Sequence, residues 1–195
     1  AFSLSEGLNT CYECTGEQSA VSCDVKSAFS EDLIYACEGY RLPTEAEWEY
    51  VASEQSGASH PDLESNLFPA MNTSSHLLLG DSGCWSIDGL SEYGWYCGTN
   101  DIVNEGIQRG GQLTPNAHGI YDMHGNVWEW VHDHWSAYGV TPVTNPVNGS
   151  SDYRGVRGGD WASVPVELRS NHRGSDYSPT ISKSIGVRLV RTFVE

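Results

Sequence analysis

The chain is poor in positive charge. Its 195 residues carry 10 Lys and Arg against 26 Asp and Glu, a formal net charge of −16. That balance argues against holding nucleic acid or an anionic membrane surface by bulk electrostatics. Also missing is any apolar run near the ~20 residues of a transmembrane helix, so membrane insertion is not expected. No internal repeat or low-complexity linker interrupts the chain, so a single domain over residues 1–195 is expected, with enough length for a sizeable core. There is no Gly-x-Ser-x-Gly nucleophile elbow, which leaves the serine, histidine and aspartate of His172 to Asp176 without the frame of a hydrolase. No cysteine follows Cys97, so the C-terminal half can supply no thiol chemistry.

What is abundant points to loops pinned by aromatics: 21 glycines, 7 tryptophans and 10 tyrosines. The six cysteines are Cys11, Cys14, Cys23, Cys37, Cys84 and Cys97. Cys11-Tyr-Glu-Cys14 has no second CxxC and no histidine at finger spacing, so zinc is disfavoured and disulfides in an oxidising compartment are expected. Cys84 is expected to pair with Cys97, and the first four cysteines among themselves, in a cysteine-rich segment over 1–38. No signal peptide is visible, as in a mature secreted form. Asn72-Thr-Ser74 and Asn148-Gly-Ser150 are glycosylation sequons. The surplus carboxylates read either as a solvated acidic surface or as ligands for divalent cations.

One helix is well signalled. Thr44 and Glu47 fit a capping box behind Pro43. Trp48, Val51 and Ala52 then share a face, which leaves Glu45, Glu49 and Glu54 toward water, with an end near Gly57. A short strand is expected at Ser19 to Val25, another at Arg154 to Gly158 and a last one at Ile185 to Thr192. In that last strand Val187, Leu189 and Thr192 do not alternate strictly, which implies a bulge or burial of both faces. Residues 57–118 read as long irregular chain of the kind that needs staples or metals. His132 and His134 form a close pair on one side of a strand, a weak candidate for metal ligation. Arg169, Arg173 and Arg188 are expected to pair with internal carboxylates such as Glu129 or Asp133.

The densest run is Gly119-Ile-Tyr-Asp-Met-His-Gly-Asn-Val-Trp-Glu-Trp130, where oxygen donors at short spacing interleave with tryptophans expected in the core. It resembles the signature of the formylglycine-generating-enzyme (sulfatase-modifying factor) family. Three further segments agree in order: Gly39-Tyr-Arg-Leu-Pro-Thr-Glu-Ala-Glu-Trp-Glu-Tyr50, Arg157-Gly-Gly-Asp-Trp161 with Arg169-Ser-Asn-His-Arg173, and Ser184-Ile-Gly-Val-Arg-Leu189. The resemblance implies an α+β, loop-rich variant of the C-type-lectin fold with little regular secondary structure and a small twisted antiparallel core.

It also implies a calcium site, with Asp122 and Glu129 contributing side chains and Gly125 and Val127 backbone carbonyls. Two carboxylates and several carbonyls suit a hard divalent cation. Family enzymes oxidise a substrate cysteine with oxygen and copper(I) held by two thiolates. The matching stretch here, Trp161 to Arg169, has no cysteine, so no copper is expected and formylglycine generation is disfavoured. Iron-dependent relatives place their histidine ligands on an accessory helical domain that is not seen here. The family's substrate groove, diversified in variable ligand-binding proteins of this fold, matches Asp160 to Ser184. Its candidate ligand-binding residues are Trp161, Ser163, Glu167, Asn171, His172, Asp176 and Tyr177, with Thr180 and Lys183 beside them and Tyr93, Trp95 and Tyr96 as candidates for its border.

Ser3 to Leu8 resembles the middle of a family helix, so the usual N-terminal strand and helix look absent, through cleavage, tolerated loss or donation by another subunit. The final strand would then be an edge open to another chain. The expectation is a secreted, extracellular or cell-surface module without catalysis: it binds a protein or glycan, or assembles as a homo-oligomer or filament through that C-terminal edge strand. The rival is an enzyme of unrecognised, oxidative chemistry in the same groove.

Overall fold

A computed structural model describes residues 2–17, 21–53, 84, 89–99, 106–178 and 180–193. The expected end of the central helix near Gly57, Glu54, the Asn72 sequon and most of 57–118 lie outside the described residues.

The central sheet is built from β5 (Trp128–His134), β6 (Tyr153–Arg157), β7 (Gly174–Tyr177) and β8 (Ile185–Val187). Their order across the sheet is β7-β6-β5-β8. β6 lies antiparallel to both β5 and β7, whereas β8 runs parallel to β5 with Glu129 opposite Gly186. A register shift interrupts the β5–β6 ladder between Trp130 and His134. The architecture is α+β with short elements joined by long loops, as expected.

Among the described residues, two α-helices precede the sheet: α1 (Phe2–Ser5) and α2 (Glu45–Ser53). The capping box behind α2 forms: the Glu47 amide donates to Thr44 Oγ1 at 3.2 Å, and the Thr44 amide donates to Glu47 Oε2 at 2.8 Å. Such reciprocal bonds satisfy two orphan amides of the first turn. α2 then buries Trp48 and Ala52 against Met123 and Val131. The residues of β5 that turn to this core are Glu129, Val131 and Asp133. Trp128 and Trp130, expected in the core, are only half-buried, because strand alternation puts them on the opposite side from Val131.

Glu45, expected toward water, is also placed differently. It faces inward, 2% exposed. Arg173 reaches it bidentately, Nε and Nη2 each donating at 2.6 Å, and Arg157 Nε lies 3.5 Å away. A face of α2 beyond the Trp48 stripe is thus covered by arginines from distant chain.

The N-terminal lobe is built differently. β1 (Tyr12–Thr15) and β2 (Ser22–Val25) form a hairpin, and the start expected for the second strand, at Ser19, lies outside the described residues. Its interior is Cys11, Ile34 and Cys37, with Tyr12, Val25, Phe29, Tyr35 and Val147 packed on them. Disulfides join Cys11 to Cys37, Cys14 to Cys23 and Cys84 to Cys97. All six cysteines are bonded and none is free. This agrees with Cys84 pairing to Cys97 and resolves the first four into one long and one short closure.

The final segment neither bulges nor buries both faces. β8 ends at Val187, Val187 and Leu189 are exposed, and pairing resumes where Val190 and Arg41 exchange two backbone bonds of 2.9 Å. β8 therefore has β5 on one side, and among the described residues no strand lies on the other.

Candidate functional site

The segment from Gly119 to Trp130 enters the sheet through a tight turn. Asp122, Gly125 and Asn126 all have positive φ, at 56°, 84° and 68°. Two short strands, β3 (Gly94–Trp95) and β4 (His124–Gly125), pair parallel there. A Cβ at position 125 would lie 1.8 Å from the Trp95 carbonyl oxygen, so only glycine fits. Asn126 then holds three loops. Its amide donates to the Trp95 carbonyl, its side chain exchanges bonds with the backbone of Gln108, and its carbonyl accepts from the Trp161 amide. His124 Nδ1 donates to the Leu168 carbonyl at 2.7 Å, and burial lowers its pKa. The segment is a hub that fixes the loops around it.

Glu129 lies beneath this turn. Its Oε2 accepts from Trp48 Nε1 at 2.8 Å and Arg188 Nε at 2.9 Å, and its Oε1 accepts from Arg188 Nη2 at 2.7 Å. Of the three arginines expected to meet internal carboxylates, Arg188 pairs with Glu129 and Arg173 with Glu45. Asp133 instead accepts the backbone amides of Glu45 and Asn148, at 2.6 and 3.0 Å. Burial raises the Asp133 pKa against those bonds.

Asp122 and Glu129 line one open cleft of about 490 Å³, with Asn126 and Arg188. Asp122 Oδ2 accepts the Gly111 amide at 2.7 Å, while its Oδ1 is buried without a hydrogen-bond partner. The Gly125 carbonyl accepts the Val127 amide at 2.9 Å. For a divalent cation, the orphaned Asp122 oxygen and the remaining lone pair on Glu129 Oε1 are compatible donors. Arg188 already supplies one positive charge to the same carboxylate. No group of three or more His, Cys, Asp or Glu gathers as a metal cage among the described residues.

The groove candidates are spread over β7 and the loops and turn that precede it. Trp161 is half-buried, tied by its amide to Asn126. Ser163 is buried and accepts the Asp160 amide. Glu167 caps its own turn, accepting the Val164 amide at 3.1 Å. Asn171 is exposed, and His172 is stacked on Trp128 with ring centroids 5.9 Å apart. Asp176 accepts from the Tyr177 amide and Thr180 Oγ1, while Tyr177 is half-exposed against Tyr153. Tyr93, Trp95 and Tyr96 are 9%, 8% and 0% exposed, so they belong to the interior rather than to a groove border. Their neighbourhood is a small core of Leu90, Tyr96 and Leu168, a burial that their spacing did not signal.

His132 and His134 do not converge on a metal. His132 Nδ1 meets the Tyr12 hydroxyl at 3.0 Å, and His134 Nδ1 donates to the Ser151 carbonyl at 2.5 Å. Burial, with Arg154 and Arg41 nearby, pushes the His132 pKa down to about 4. This ring is neutral at physiological pH and joins the N-terminal lobe to β5.

A family model for the sulfatase-modifying factor enzyme 1-like domain matches residues 9–193. The chain belongs to this family. Among curated relatives, the chaperone protein LppX of Paenibacillus barcinonensis is 31% identical over 162 residues, 79% of this chain and 50% of that protein. The formylglycine-generating enzyme of Mus musculus is 31% identical over 126 residues, 62% of this chain and 30% of the enzyme. Among solved structures, Treponema denticola variable protein 1 matches with a TM-score of 0.65 and 25% identity, covering 96% of this chain and 64% of that one. The chain thus spans half or less of these two curated relatives' length. The scaffold is that of formylglycine-generating enzymes, and it is shared by proteins with quite different names.

Proposed function

We propose that this domain is a non-catalytic binding or structural module on a formylglycine-generating-enzyme-like scaffold, working outside the cell or at its surface. The observation that carries this reading is the disposition of sulfur. All six cysteines are tied in disulfides and none lies beyond Cys97. The stretch from Trp161 to Arg169, where relatives hold a thiolate pair, is spent on local structure: Ser163 and Glu167 satisfy backbone amides and Leu168 is core. Soft thiolates are what a copper(I) centre requires. Three disulfides are at home in an oxidising compartment.

The partner is a protein or glycan held by Asn171, His172, Asp176 and Tyr177, or another copy of the chain added at the open side of β8. Exposed Tyr153 and Tyr177 offer stacking area of the adaptable kind. Asp122 and Glu129, with the carbonyls of Gly125 and Val127, are proposed to hold calcium. There the cation would tie the turn at Gly119 to β5, a bracing role and not a chemical one.

The test is incubation of the protein with a cysteinyl peptide, copper(I) and oxygen, followed by mass spectrometry of the peptide. No conversion of cysteine to formylglycine is expected. Turnover above the protein-free control would overturn the non-catalytic reading.

A further inference from the structure

A second cleft, of about 1000 Å³, lies between α2 and the loop from Tyr138 to Gly149. None of the residues 160–184 lines it. Its titratable lining among the described residues is entirely acidic apart from tyrosine: Glu31, Asp32, Glu45, Glu49 and Asp133, with no Lys, Arg or His.

These carboxylates fall into two groups. Glu45 and Glu49 are paired with Arg173 and Arg157, and Asp133 is consumed by backbone amides. Glu31 and Asp32 are exposed, and neither makes an ion pair or side-chain hydrogen bond with a described residue. The facing walls are Tyr50 and Tyr138, 60% and 56% exposed, beside Pro142 and an exposed Val143. Tyrosine faces attract cations, best when partly desolvated.

The same surface already holds one guanidinium, that of its own chain. Arg173 stacks over Tyr138 at 3.8 Å and Trp135 at 4.4 Å and ends bidentately on Glu45. Planar stacking plus a forked carboxylate contact is how a guanidinium is bound with geometric selectivity. The rest of the cleft repeats these elements, with Glu31 and Asp32 as acceptors and two faces, the open side of Tyr138 and that of Tyr50, whose ring also meets His118 at 5.8 Å.

We propose that this cleft docks an arginine-bearing basic peptide segment of a partner protein, its guanidinium groups reaching Glu31 and Asp32 across the tyrosines. The proposal deepens the binding-module reading, and it concerns a surface separate from the groove residues, so the two can fail separately.

The test is fluorescence anisotropy with fluorescein-labelled hexa-arginine at about 0.15 M salt, where charges beyond ~8 Å are largely screened. The double variant Glu31→Gln/Asp32→Asn is expected to weaken binding about tenfold. Tyr50→Leu is expected to weaken it about threefold. The control Glu13→Gln/Asp24→Asn removes the same charge from the N-terminal hairpin and should change affinity less than about twofold, as should Asn171→Ala. Equal weakening by both double variants would overturn the proposal, because bulk charge would then explain the binding. Absence of hexa-arginine binding would overturn it too. Weakening by Asn171→Ala with the cleft variants unaffected would dismiss the cleft while supporting the groove.

Discussion

The two halves of this domain hold their backbone still by opposite means. Around α2 and the central sheet, buried or half-buried arginines meet buried carboxylates: Arg173 and Arg157 at Glu45, and Arg188 at Glu129. In the N-terminal lobe the interior is small, and disulfides from Cys11 to Cys37 and Cys14 to Cys23 close it covalently. A covalent closure acts largely by restricting the unfolded chain. A buried ion pair gains little over apolar packing, yet removing one partner is costly because the other is stranded. The braced half should therefore be sensitive to single substitutions, and the stapled lobe to redox conditions.

The sharpest way to break this contrast is Glu45→Ala, which leaves Arg157 and Arg173 without their shared carboxylate. A loss of about 4 kcal/mol is expected in urea unfolding at neutral pH. A loss below about 1 kcal/mol would mean that the brace carries no weight. Next is the double variant Cys11→Ala/Cys37→Ala, which opens a closure of 26 residues' separation. Its expected cost is about 3.5 kcal/mol, measured without reductant. In wild type, reductant should destabilise the lobe, and hydrogen exchange should show its amides opening before those of β5 and β6.

The seam between the halves gives a pH-dependent test. Tyr12 belongs to the lobe and His132 to the sheet, and the two meet at 3.0 Å. His132 has its folded pKa lowered to about 4, chiefly by burial and then by Arg154 and Arg41. The unfolded imidazole titrates near ~6.5. The unfolded state therefore takes up the proton first as pH falls. The stability due to a neutral His132 is complete above the unfolded value and is lost between about pH 6.5 and about 4, amounting to about 3 kcal/mol. His132→Gln, which keeps a partner for Tyr12, should flatten that part of the profile relative to wild type. Profiles that coincide would remove His132 from the seam.

The smallest effect concerns the Asp122 cleft. With Arg188 already on Glu129, calcium would add to an existing brace, and an increase in Tm of about 5 °C over the chelator-treated protein is expected. Asp122→Ala should abolish that increase. No response to calcium or chelator would rule out the site.

How much of this was readable beforehand differs between the halves in the same way. Cysteine positions announce staples, and the count of six limits the pairings, but choosing Cys11 with Cys37 needs the hairpin that places Cys14 opposite Cys23. The α2 start was legible because a capping box is local. The motif from Gly119 to Trp130 named the family because its glycine and asparagine serve a turn that few residues can make. The brace was legible only in part: the pairing of Arg188 with Glu129 was expected, and the role of Glu45 was not. Glu45 looks solvent-facing on a helical wheel, and only Arg157 and Arg173, far along the chain, make its burial affordable. Trp128 and Trp130 misled in the other direction: large aromatic rings signal a core, but the strand turned Glu129 and Val131 inward. Within the 160–184 segment, Ser163 and Glu167 accept backbone amides of their own turns, a local use that residue type alone does not signal.

A non-catalytic role rests most heavily on there being no thiol for a copper centre. Titration of thiols in the denatured, unreduced protein tests this directly. The expected result is no reactive thiol, with six appearing after reduction. Two or more thiols before reduction would contradict it, because sulfur between Cys11 and Cys97 would then be free to bind a soft metal.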